Sequence, residues 1–158
     1  MSGTIVLGIG NRIGGDDAAG NCVVDILNQG QHKTRALLSN EIMAIDVGTT
    51  PESYTSVIRR HRPDLLILID AADMGLPHGV LRVITPEKIS ILSFSTHNIP
   101  LSTFISYVEE FCGEILLVGL QPEQMAMGSG ISKAVRKSVK KLAEAILEGR
   151  TAEISLLE

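Results

Sequence analysis

Five consecutive aliphatic residues, Leu65-Leu-Ile-Leu-Ile69, run without interruption into Asp70. An apolar run of that length with no polar alternation reads as a strand buried on both faces, which implies a sheet covered by helices. Thr4-Ile-Val-Leu-Gly-Ile9 and Ile115-Leu-Leu-Val118, the latter within Glu114 to Gly119, have the same character. Aromatic residues make up 3% of the 158-residue chain and there is no Trp, so the core between such strands and their helices must be aliphatic. A chain of this length buries roughly 70% of its unfolded surface and needs neither disulfide nor structural metal to fold. With no repeat, linker or low-complexity tract, residues 1–158 are expected to form a single domain.

Helix-like stretches alternate with these strands, which is the pattern of an α/β layer architecture. Apolar spacing predicts helices from about Asp17 to Asn28, Glu52 to His61, Leu101 to Phe111 and Ser132 to Leu147. A further strand is expected within Ala36 to Asp46. Val80 to Ile84 alternates apolar and polar residues, as an edge strand would, and an antiparallel one fits. The residues after Leu147 read as a mobile polar tail.

The formal charge of −4 argues against a nucleic-acid backbone as partner. The basic stretch Lys133 to Lys141 is interleaved with Val135, Val139, Leu142 and Ala143, as on the wet face of an amphipathic helix. No segment approaches the roughly 20 apolar residues of a membrane span, and no secretory signal is evident. Cys22 and Cys112 form no metal-binding or redox spacing. These features lead us to expect a cytoplasmic protein that binds neither membrane nor nucleic acid.

Chemistry-bearing residues gather where predicted strands end. In open α/β sheets ligands bind at the carboxyl ends of strands, and the Gly8–Asp17 loop, Asp46 and Asp70 all fall there. Gly8-Ile-Gly-Asn-Arg-Ile-Gly-Gly-Asp-Asp17 resembles a dinucleotide loop only superficially. Ile13 stands where the third glycine belongs, no acid follows about 20 residues on, and two carboxylates at a helix head would repel a pyrophosphate. One of Asp16 and Asp17 is expected to cap the following helix, leaving the other for a different task. Asp70 must be paired, coordinated or exposed at a cleft, because an isolated buried charge is costly. A purely structural use, closing a turn with Ala71-Ala72-Asp73, stays open beside it. His97, in the loop Thr96-His97-Asn98, can reach the same edge, whereas His32, His61 and His78 lie in polar surroundings. Two carboxylates and an imidazole suit Zn, Ni, Mn or Fe(II) and leave coordination positions open.

Gly8-Ile-Gly-Asn11 with Gly15-Asp-Asp17, Ile69-Asp-Ala-Ala-Asp-Met-Gly75, Ser95-Thr-His-Asn98 and Gly119-Leu-Gln-Pro122, in that order, resemble the hydrogenase maturation endopeptidases. The likeness is to the branch serving hydrogenase-3 type large subunits. It implies a three-layer α/β/α sandwich around a twisted, mostly parallel sheet of about five strands. It also implies an endopeptidase that removes the C-terminal extension of the [NiFe]-hydrogenase large-subunit precursor after nickel insertion. On that resemblance Asp17, Asp70 and His97 are the catalytic, metal-contacting residues, and the Asp46-Val-Gly48 element contributes Asp46 and Gly48 to substrate binding. The nickel would arrive with the substrate, although Zn or another divalent ion could occupy the site in vitro. A monomer is expected. Two alternatives remain: a non-catalytic nickel-sensing or chaperone domain for the same subunit, and a nucleotide-binding domain, which Ile13 and the acidic pair disfavour. The Gly- and Met-rich stretch Met125 to Gly130 does not align with the family's usual loop.

Overall fold

The computed structural model describes residues 3–34, 42–94 and 99–158. A five-stranded sheet has the order β2-β1-β3-β5-β4. Its strands are β1 (Thr4–Ile9), β2 (Ile42–Gly48), β3 (Leu65–Ala71), β4 (Leu81–Val83) and β5 (Glu114–Leu120). The first three and β5 are mutually parallel, and β4 runs antiparallel along the edge of β5. The helices are α1 (Ala19–Thr34), α2 (Thr55–His61), α3 (Pro86–Ile89), α4 (Leu101–Val108) and α5 (Lys133–Leu147).

Side chains alternate along each strand, so the uninterrupted apolar runs feed two cores at once. Val6, Ile67, Ile69 and Val118 meet Val23, Val24 and Leu27 of α1 and Val135, Val139 and Leu142 of α5. Ile5, Leu7, Leu66, Leu68 and Leu117 point the other way, onto Ile58 of α2 and Leu101, Phe104 and Val108 of α4. Three layers result, with helices on both faces of a mostly parallel sheet. Strand register aligns Gly8 with both Asp46 and Ile69 and pairs Asp70 with Gly119. The carboxyl ends therefore form one level edge.

Several boundaries differ from the sequence expectation. The helix expected from Asp17 begins as a 3-10 turn, Gly15–Ala18, and only then becomes α1. A 3-10 turn likewise precedes α2 (Pro51–Tyr54) and follows α4 (Glu109–Phe111). Of the strand expected within Ala36 to Asp46, the first residues lie outside the described ones, and the described strand continues past Asp46 to Gly48. The single turn of α3 is too short to leave a periodic pattern. The tail expected to be mobile folds back on the sheet: Val83 N–H donates to Ser155 O and Val83 O accepts from Leu157 N–H, both at 2.8 Å. An edge strand offers unpaired backbone groups, and the chain's own end satisfies those of Val83. Among the described residues no helix is long and apolar enough to cross a membrane.

Candidate active site

Glycine lets α1 settle onto the sheet. A Cβ on Gly20 would stand 2.6 Å from the carbonyl oxygens of both Ile9 and Ile69, and one on Gly8 would stand 2.3 Å from Gly20 O. Backbone approach this close leaves room only for hydrogen. The 3-10 turn ahead of α1 is thereby seated over the ends of β1 and β3. The strand order reverses between those two strands, β2 lying on one side of β1 and β3 on the other, so this is the switch point where open sheets hold their ligands. Gly8 of the first loop thus serves to seat the helix.

Asp17 lies in that turn with 8% of its surface exposed, and Asp70 is fully buried one residue beyond the β1–β3 register. Asn11 N–H donates to Asp17 Oδ2 at 3.3 Å. Neither carboxylate lacks a partner in the fold, as burial demands. Asp73 closes the turn that follows Asp70. Asp73 Oδ1 accepts from Gly75 N–H at 3.2 Å and from Gln121 Nε2 at 3.1 Å, and Gln121 Oε1 accepts from Met74 N–H at 2.6 Å. His97 lies outside the described residues. Among those residues no three His, Cys, Asp or Glu side chains form a metal-holding group.

Asp16 does different work from its neighbour. Oδ1 accepts from Ser132 N–H at 2.7 Å, while Oδ2 accepts from Ser132 Oγ at 2.8 Å, Glu123 N–H at 2.8 Å and Gln124 N–H at 3.1 Å. Burial alone would raise this carboxyl; the N–H groups of Ser132, Glu123 and Gln124 and the Ser132 hydroxyl overcome it and hold the group below the usual range. Asp16 does not cap its own helix: all four hydrogen bonds of its carboxylate go to Glu123, Gln124 and Ser132. Asp16 instead organises the far side of the edge, where Ser132 caps α5 and accepts from Val135 N–H.

Asp46 forms the wall beside β1. Its Oδ1 accepts from Asn21 Nδ2 at 2.7 Å and Gly48 N–H at 3.0 Å, and its Oδ2 from Arg12 Nε at 2.8 Å. Arg12 also grips Asp25 through both terminal nitrogens, at 2.9 and 2.8 Å. Burial would lift the Asp46 carboxyl, but Gly48 N–H, Asn21 and Arg12 bring it below the ordinary value. A carboxylate this fully engaged is a fixed acceptor and not a general base. Asp46, Gly48, Arg12, Asn21 and Thr49 line an open cleft of about 390 Å³ next to the first loop. A cavity of about 420 Å³ under α4 lies at the opposite end, against Glu114 and Ile115 at the start of β5. Arg12 and Asn21 escaped the sequence reading. Arg12 is the only cation in the Gly8–Asp17 loop, and Asn21 is a polar residue among apolar helix positions; those were the available signals.

Neither thiol suits a nucleophile. Burial pushes Cys22 above its usual value, and Cys112, donating to Val108 O, is pushed up to about 11.

A family model described as hydrogenase maturation protease matches residues 25–149. The chain belongs to that family. The protease is 34% identical to a putative hydrogenase maturation protease of Methanocaldococcus jannaschii, over 91% of this chain and 86% of that one. It is 32% identical to the hydrogenase 3 maturation protease of Escherichia coli K12, over 86% of this chain and 83% of that one. A crystal structure of a hydrogenase 3 maturation protease superposes with a TM-score of 0.82 at 31% identity, covering 99% of this protease and 97% of that chain. The [NiFe] hydrogenase maturation protease HycI of Thermococcus kodakarensis does so with a TM-score of 0.79 at 31% identity, over 94% and 92% of the two chains. The α/β/α expectation holds, and this family membership makes the protease an enzyme.

Proposed function

We propose that this protease removes the C-terminal extension of a [NiFe]-hydrogenase large-subunit precursor and recognises nickel carried by that substrate through Asp17, Asp70 and His97. The observation that carries the reading is the division of labour in the acidic pair at the switch point. Asp16 holds the scaffold together through its four donors, and Asp17 and Asp70 lie on the edge where ligands of such sheets bind. His97 enters on the Ser95-Thr-His-Asn98 motif.

Two carboxylates and an imidazole make a weak resting site but a suitable complement for a metal already held by substrate ligands. Specificity is then the difference in affinity between loaded and empty precursor. Because Asp70 is buried and Asp17 nearly so, the rim of the edge must yield to admit the substrate. Asp46 and Gly48 wall the cleft beside it, and we assign them to holding the peptide near the scissile bond. Cleavage adds water across one peptide bond, releasing a carboxylate and an amine. The two free thiols fit a reducing cytoplasm.

The test is to incubate the purified protease with nickel-loaded precursor and follow the precursor's mass. Loss of a C-terminal peptide supports the reading. Tight binding without mass loss would instead make the protein a non-catalytic nickel sensor.

A further inference from the structure

The stretch from Gln124 to Ser132, Gln-Met-Ala-Met-Gly-Ser-Gly-Ile-Ser, contains no charged residue in a chain that is 20% charged. Despite this it is largely exposed: Met125 keeps 48% and Met127 67% of its surface. Ile13, on the first loop, is 58% exposed. The two loops are tied together. Gly128 N–H donates to Ile13 O at 2.8 Å and Asp16 N–H to Gln124 O at 2.8 Å. A Cβ on Gly15 would stand 3.3 Å from Met125 Cα. Single exposed apolar residues need no explanation, but large ones gathered on adjoining loops do.

The methionine loop is also held in shape. Asp16 binds it at both ends, through Glu123 and Gln124 on one side and Ser132 on the other. Ser129 Oγ closes a turn inside it by donating to Ala126 O at 2.6 Å. An ordered base presenting adaptable thioethers is a preorganised contact surface, because little loop entropy remains to be lost on binding.

We infer that Ile13, Met125 and Met127 form a docking patch for an aliphatic surface segment of the protein substrate, outside the cleaved peptide. The inference rests on the proposed function and deepens it. The choice of occupant follows from position. Asp16 and Asp17 are consecutive, and Asn11, two residues before Ile13, donates to Asp17. A folded substrate that presents a bond to Asp17 and Asp70 must lie across this rim. The absence of charge in the loop matches an apolar contact and not a basic or acidic one.

The test compares the wild type with the double variant Met125→Ser/Met127→Ser on nickel-loaded full-length precursor, with Met125→Leu/Met127→Leu as the conservative control. The serine variant should raise KM about tenfold, leave kcat within about twofold and keep the melting temperature, because both side chains are exposed; the leucine variant should restore KM. An unchanged KM in the serine variant overturns the inference. If the wild type is a dimer that the serine variant dissociates without a change in KM, the patch joins copies of this chain and the inference also fails. If the wild type cuts no precursor, the functional reading falls, and anisotropy of labelled precursor decides the patch separately. Weaker binding by the serine variant then supports it, and equal or no binding refutes it.

Discussion

Replacing Asp16 by Asn changes one oxygen for an amide nitrogen and removes a charge that four donors share. If the remaining oxygen takes the Oδ2 position, the new NH2 faces Ser132 N–H. If it takes the Oδ1 position, the NH2 faces Glu123 and Gln124 N–H. Either rotamer sets donor against donor in a buried place. A hydrogen bond to a charged group contributes about 1.5–3 kcal/mol, and a stranded buried donor costs about 1–3 kcal/mol. One lost bond and one stranded donor together give about 3 kcal/mol of destabilisation. In urea, with a slope of about 2 kcal/mol per M, the midpoint should fall by about 1.5 M at unchanged slope. The pH dependence carries a sign. The folded carboxyl sits below its unfolded value of about 3.9, so its contribution is complete above that pH and is lost as pH falls through the folded value. The wild type should therefore lose stability below about pH 4 more steeply than Asp16→Asn. A loss under about 0.5 kcal/mol at neutral pH would refute the assignment of Asp16 to the scaffold.

Asp17→Asn and Asp70→Asn should each cut precursor cleavage at least about a hundredfold, a rate effect near 3 kcal/mol, as read by precursor mass. Circular dichroism and the urea midpoint, read beside the rate, separate a loss of chemistry from a loss of fold. Gly20→Ala forces a methyl group to 2.6 Å from two carbonyl oxygens, so the head of α1 must lift. A loss of about 1–3 kcal/mol in urea is expected, with activity falling at temperatures where the chain is still folded. Truncation after Glu153 strips Val83 of its two partners and bares the edge of β4. Light scattering should then show concentration-dependent association that the full chain lacks.

The layers were legible because the uninterrupted apolar runs at Thr4–Ile9, Leu65–Ile69 and Ile115–Val118 belong to strands with helices on both faces. The antiparallel edge was legible at Val80–Ile84 for the converse reason, its alternation. What escaped depends on contacts distant in sequence. Asp16 meets Ser132 across 116 residues, and no local pattern announces that. Capping was the local expectation for such an acid, and a tertiary partner displaced it. The docked tail was missed because Ile154, Ser155, Leu156 and Leu157 are too few to show periodicity. At the site, strand ends pointed to Asp70 and the Gly8–Asp17 loop, and register places them on one edge. Asp46 is legible as a cleft or substrate residue, but its clamp by Arg12 and Asn21 joins three separate elements and leaves no local pattern.

If Asp17 and Asp70 read a metal brought by the substrate, the ratio of kcat/KM for nickel-loaded over nickel-free precursor, measured for the wild type and for Asp17→Asn, exposes it. The wild type should show a large ratio and the variant, whose residual cleavage no longer depends on nickel, a ratio near one. A wild type that trims both precursors equally, or an Asp17→Asn variant that keeps the full preference for nickel, would contradict it.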